Sequence, residues 1–279
     1  VTLTAEHLGG DAAARQNGLT RDGSDCTVAA FVPLNCQETM PKIRRMSLTQ
    51  ELVDLCFRDE TDPGPPPSWQ PMTEEDYASL TDRLTQEVGD GPLWIFAYGS
   101  LIWKPGFDSI ASRRATAFGW HRSFSLRIER GRGSPTQPGL MMVLSRGGRC
   151  DGVIYRVADD EKRMQIEKAL RREVSNRDSL TSMRWLPVRT EEGDTVRALT
   201  FWVGGNSQRL IRPLLPLHDV APVLARACGH RGSCAEYLYN TVVHLSDFGI
   251  HDRNLWRLQE LVAEEIKVLH AQTSIREHA

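Results

Sequence analysis

Two short segments carry residue types that could do chemistry. In Tyr98-Gly-Ser-Leu-Ile-Trp103 an apolar run ends and the chain must turn at Gly99. A strand that ends in a glycine turn leaves backbone N–H groups without ladder partners, and such groups bind carboxylates or developing oxyanions. The same residues also make an ordinary strand-ending turn, and no G-x-S-x-G elbow marks Ser100 as a nucleophile. The second segment is Leu170-Arg-Arg-Glu-Val174, in which Glu173 closes a helical stretch. A glutamate there either meets solvent or a neighbouring arginine, or it serves as a base. The negative end of the helix dipole raises its pKa toward the range useful for proton transfer.

Other candidates point away from common chemistries. Arg130 to Gly139, rich in Gly and Pro, is a lid, an anion nest or a long hairpin loop, and it lacks the pattern of a nucleotide phosphate loop. The eight histidines form no H-E-x-x-H, and His244 and His251 are separated by Gly249, so no metal site is expected. Cys228 and Cys234 read as buried small residues rather than nucleophiles. The six cysteines, at 26, 36, 56, 150, 228 and 234, form no C-x-x-C and no regular framework, which fits a reduced cytoplasmic setting.

The elements that must position these residues follow from patterning. With 279 residues, 40% hydrophobic and 25% charged, and 34 basic against 36 acidic side chains, the chain has an ordinary globular composition. A net charge of −2 and the lack of a basic block argue against nucleic acid as partner, and no apolar stretch is long enough to span a bilayer. Residues 1–45 have no hydrophobic periodicity and are expected to be poorly ordered or introduced for expression; Met40 and Met46 are each plausible natural starts. Residues 46–92 form a helical extension: a helix over 48–58 capped by Ser47, a stiff linker at Asp62–Pro67, then a helix capped by Thr73.

The run Leu93–Tyr98 predicts a strand buried on both faces, with further strands at 115–128, 140–144, 152–157, 183–189 and 196–203. One helix is inserted over 159–174, and helices follow at 219–228, 233–247 and 252–270 before a polar tail, 271–279. Strands first, one helix among them, then helices make an α+β domain over 93–270.

Taken together, Tyr98-Gly-Ser-Leu-Ile-Trp103, Gly119-Trp-His-Arg122, Gly131-Arg-Gly133 with Gln137-Pro-Gly139, Gly152-Val-Ile-Tyr155, Arg172-Glu173 and Gly232-Ser-Cys-Ala-Glu-Tyr-Leu238 resemble the ChaC family of glutathione-specific γ-glutamylcyclotransferases. The resemblance covers roughly 93–265. It implies a small twisted mixed β-barrel flanked by helices, no cofactor, and cleavage of glutathione to 5-oxoproline and cysteinylglycine. It further implies that Tyr98, Gly99, Ser100 and Leu101 hold the γ-glutamyl group, that Glu173 is the catalytic glutamate, and that Tyr237 lies near the pocket. The chain departs from the family at 175–184, which lacks a tyrosine and is about two residues longer, and at Cys234, where the family often has Asn. Two other readings stay open: a cyclotransferase for another γ-glutamyl compound, and a non-catalytic binding or regulatory module.

Overall fold

The fold is taken from a computed structural model that describes residues 45–204 and 207–277, the side chains of 272–277 excepted. The expectations for residues 1–44 therefore lie outside the described residues. In chain order the elements are α1 (Gln50–Asp54), α2 (Glu74–Val88), β1 (Trp94–Ala97), β2 (Ala111–Ile128), β3 (Gly139–Arg156), α3 (Lys162–Glu173), β4 (Met183–Thr190), β5 (Thr195–Phe201), α4 (Leu217–Arg226), the two-residue strands β6 (Cys228–Gly229) and β7 (Gly232–Ser233), α5 (Cys234–Asp247) and α6 (Arg253–Glu277). A single 3₁₀ turn, Arg177–Ser179, follows α3.

Five strands close into a barrel in the order β1-β3-β2-β4-β5, and β5 returns to β1 in parallel while the other neighbours are antiparallel. The α+β barrel expectation is met. Alternation along β1 explains why all its residues are apolar, because successive side chains point to opposite faces. Trp94 and Phe96 join Ala117, Trp120, Leu144, Ile154, Leu186 and Ala198 in a cluster fed by all five strands and by no helix, the barrel interior. Ile95 and Ala97 face the other way, into a larger core shared with the helices.

Several boundaries differ from those the pattern predicts. The strands expected at 140–144 and 152–157 are one strand, β3. Its apolar pattern is interrupted at Ser145–Cys150, but Gly147 and Gly148 at φ 99° and 72° sit opposite Gly119 at φ 79° in an irregularity between the Phe118 and Trp120 pairings. Pairing resumes beyond it, so the strand bends around the barrel instead of ending. The first helix is only five residues long and is preceded by Thr49, not Ser47, as its N-cap. The N–H groups of Ser47 and Leu48 go instead to the side-chain oxygen of the buried Gln259, each at 2.8 Å. The last helix runs through the expected polar tail to Glu277, since no glycine or proline interrupts 253–277.

Residues 46–92 share the larger core: Leu48, Val53, Cys56, Tyr77, Leu80 and Leu84 are buried in it beside Ile166, Leu238 and Val262. Asp62 in the proline-rich linker takes a two-pronged contact from Arg130 of the β2–β3 loop, at 2.6 and 2.7 Å. Arg122 of Gly119-Trp-His-Arg122 is a buried structural tie, bonded to the Asp151 carbonyl and, at 3.0 Å, to Asp252, whose carboxylate also caps α6 through the Asn254 and Leu255 N–H groups. Among the described residues no helix is long and apolar enough to cross a membrane.

Candidate active site

Beyond Ala97 the chain leaves the barrel in a turn, closed by Ile102 N–H to the Gly99 carbonyl and Lys104 N–H to the Ser100 carbonyl, both at 2.9 Å. The turn packs on α5. The Ser100 N–H donates to the Tyr237 hydroxyl at 3.2 Å, and a methyl group at Gly99 would stand 2.7 Å from that oxygen. Gly99 is needed here because the tyrosine comes so close, a reason separate from any turn geometry. The Tyr237 ring is wedged edge-on against Trp103 and Phe124, at 5.9 and 6.0 Å between centroids. Trp103 is itself held by Nε1 donation to Thr241 one turn along α5, at 3.3 Å.

Glu173 is the last residue of α3 and reaches the same region. Burial raises its carboxyl above the ordinary glutamate value, against the opposing pull of the Arg172 guanidinium, whose Nε donates to it at 2.9 Å. Its charge is felt by both Tyr98 and Tyr237. Burial, reinforced by these neighbours, drives the Tyr98 phenol well above its usual value, and burial pushes Tyr237 up to about 12. Both phenols therefore stay protonated at neutral pH and can act only as hydrogen-bond partners, which leaves the carboxyl of Glu173 as the group of this cluster able to exchange a proton there.

The structure thus joins Gly99 and Ser100 to Tyr237, although 137 residues separate Ser100 from Tyr237, and brings Glu173 near enough for its charge to act on Tyr98 and Tyr237. Leu101 differs: its side chain is buried in the larger core, so it can meet a ligand only through its backbone. Two guanidinium groups that are not among the expected site residues stand at the edge. Arg172 pairs with Glu173; Arg132, from the β2–β3 loop, lies 5.6 Å over the Tyr237 ring and binds Glu236 and the Ser233 carbonyl. Both lie in motifs that carry the family resemblance, Gly131-Arg-Gly133 and Arg172-Glu173, but in a chain so rich in arginine nothing else in the sequence singles either one out.

The loop carrying Arg132 is a folded hairpin connection, with Gly133 so close to Gly139 that a methyl group would lie 2.4 Å from the Gly139 nitrogen. Cys234 starts α5 fully buried, its thiol donating to the Arg132 carbonyl at 3.1 Å, and burial pushes it up to about 12. Like Cys228 it is a packed residue, as expected. A surface cleft of about 260 Å³ lined by Arg114, Thr116, Asp151, Arg189 and His251 shares no residue with this cluster.

The profile of the family described as ChaC-like protein matches residues 93–265. The chain is 34% identical over 189 residues to a glutathione-specific gamma-glutamylcyclotransferase of Escherichia coli K12, an alignment covering 65% of this chain and 78% of that protein. It is 26% identical to gamma-glutamylcyclotransferase 2-3 of Arabidopsis thaliana, over 61% of this chain and 88% of the relative. Among solved structures, a glutathione-specific gamma-glutamyl cyclotransferase from yeast superposes with a TM-score of 0.55 over 62% of this chain and 96% of its own; at 18% identity the likeness is one of fold.

Proposed function

Because the chain belongs to the ChaC-like protein family, we propose that it closes the γ-glutamyl group of glutathione to 5-oxoproline and releases cysteinylglycine, with Glu173 as general acid and base. In this reaction the substrate's own α-amine attacks its side-chain carbonyl, a C–N bond forms in a five-membered ring, and the bond to the cysteinyl nitrogen breaks. The amine gives up one proton and the departing nitrogen gains one, so atoms balance without water, cofactor or protein nucleophile. What the protein must supply is a folded substrate and a proton carrier.

The observation that carries this reading is the half-buried Glu173 carboxyl, paired with Arg172 at 2.9 Å and close enough to Tyr98 and Tyr237 at the β1 turn for its charge to raise both phenols. Its raised pKa suits a group that takes a proton from the amine and returns it to the leaving nitrogen. Tyr237, held protonated, braces the turn at Tyr98–Leu101 by accepting the Ser100 N–H, and it is the other backbone N–H groups of the turn that would meet the substrate carboxylate or the developing oxyanion. Residues 93–270 carry the reaction on this view, with 46–92 packed beside them. A cytoplasmic location completes the proposal, supported by the free thiols of Cys56, Cys150, Cys228 and Cys234.

The test is incubation with millimolar reduced glutathione, quantifying both 5-oxoproline and cysteinylglycine, beside Glu173→Gln. Equal product yields and a kcat loss of roughly 10²–10⁴-fold in the variant are expected for a lost general base. A variant as active as the parent overturns the assignment of Glu173. 5-Oxoproline formed from other γ-glutamyl compounds but not from glutathione overturns the substrate.

A further inference from the structure

The segment that follows Glu173 is held by a part of the chain outside the family match. Gln70 and Met72 run beside Ser175–Arg177: the Arg177 N–H donates to the Gln70 carbonyl at 2.9 Å, Met72 N–H to the Ser175 carbonyl at 3.4 Å, and Pro71 and Asn176 form an antiparallel bridge. Asn176 is buried there, its side-chain oxygen taking the Ser179 N–H at 3.1 Å. At the start of α2 the buried Tyr77 donates its hydroxyl to the Val174 carbonyl at 2.8 Å, and Asp76 takes Arg177 Nε at 2.7 Å. Arg171, two residues before Glu173, lies 4.5 Å over the Tyr77 ring and binds Glu74 at 2.9 Å.

A helix end leaves its last carbonyls open, and a partner that fills one of them also fixes where the chain departs. Here the Val174 carbonyl adjoins the residue whose carboxyl must be placed. We propose that residues 70–77 form a strap that fixes the end of α3 and so aims the Glu173 carboxyl, with Tyr77 as its positioning residue. This rests on the assignment of Glu173 as the proton carrier. It also gives residues 175–184, where the chain departs from its family, a structural partner of their own.

Tyr77→Phe removes only the hydroxyl and keeps the ring under Arg171. Since a misplacement of about 1 Å can cost 10²-fold, kcat on glutathione should fall roughly ten- to a hundredfold with little change in KM. The acid limb of kcat should move to lower pH, because a loosened helix end lets water reach the carboxyl. The charged and titratable groups facing it are Arg172 on its own helix, Tyr98 at the end of β1 and Tyr237 on α5.

Arg163→Gln is the comparison, since it removes another α2–α3 ion pair, with Asp82, on the exposed side; it should leave both kcat and the limb in place. The strap is refuted if Tyr77→Phe lowers only the melting temperature, or if Arg163→Gln moves the limb equally. Should Tyr77→Phe fail to fold, Arg177→Gln, which releases Asp76, carries the same expectations. Full activity in Glu173→Gln brings down the base and the strap together, whereas an inactive Glu173→Gln beside an unaltered Tyr77→Phe brings down the strap alone.

Discussion

At the scale of single residues, Glu173 sits where its charged form is disfavoured, and this has two readable consequences. In the proposed role of base it would work only when deprotonated, so kcat should rise with pH through a value above the ordinary glutamate range, which a pH profile of kcat will locate. The same shift costs stability. A carboxyl whose pKa is higher folded than unfolded binds more protons in the folded state, so its contribution is full below the unfolded value and is lost as pH rises through the folded one. Glu173→Gln should therefore melt above the parent at neutral pH, with the gap closing in acid; calorimetry at both pH values checks it. Gly99 offers a second residue-scale test. Gly99→Ala pushes a methyl group against the Tyr237 hydroxyl at 2.7 Å, and with both ring and turn buried the cost falls on the turn. A loss of about 10²-fold in kcat/KM is expected, on the scale of a small misplacement, with the far-ultraviolet circular dichroism unchanged.

At the scale of elements, the barrel and the helices are joined through a few polar ties, and the one at Arg122 is the most exacting. Its guanidinium is buried and its charge is balanced by Asp252. Asp252→Asn keeps a side chain able to cap α6 but leaves Arg122 without its counter-charge. Removing one partner of a buried pair costs about 3–5 kcal/mol; because Asp252 keeps some exposure, the lower end is expected, read by urea unfolding. Lys162 plays a comparable part between α2 and β1, its ammonium meeting the Gly91 carbonyl at 2.7 Å just beyond the end of α2 and so placing the first turn of α3.

At the scale of the whole molecule, the part of the chain that matches the family is not the whole of the packed body. Leu48, Val53, Tyr77, Leu80 and Leu84 cover the larger core from the N-terminal side, and Gln259 anchors that segment to α6. A chain beginning at residue 93 would expose the apolar surface they cover, the kind of patch that drives association. Such a truncation should elute earlier, as aggregate, than the full chain in size-exclusion chromatography. Gln259→Leu, which strands the buried Leu48 N–H at about 1–3 kcal/mol and releases the more exposed Ser47 N–H to water, should lower the melting temperature without altering the pH profile.

The sequence by itself determined most of the longer elements and their order, because hydrophobic period, caps and breakers are local, but it missed the two-residue strands β6 and β7 and ran the helix before them on through Cys228. It marked β1 by its unbroken apolar run and α5 and α6 by Ser233 and Asp252. Through resemblance it also singled out the turn at Tyr98–Leu101, Glu173 and Tyr237 as the proposed site. It did not reveal that β3 is one strand, since Gly147 and Gly148 look like a break until Gly119 stands opposite them. Nor did it reveal what meets what. The raised pKa of Glu173 comes from burial between elements, the need for glycine at 99 from a tyrosine on α5, and the tie from Tyr77 to Val174 from the packing of α2 on α3. Those contacts join residues about 100 positions or more apart, where no local pattern reaches, and only closure of the barrel and docking of the helices bring them together.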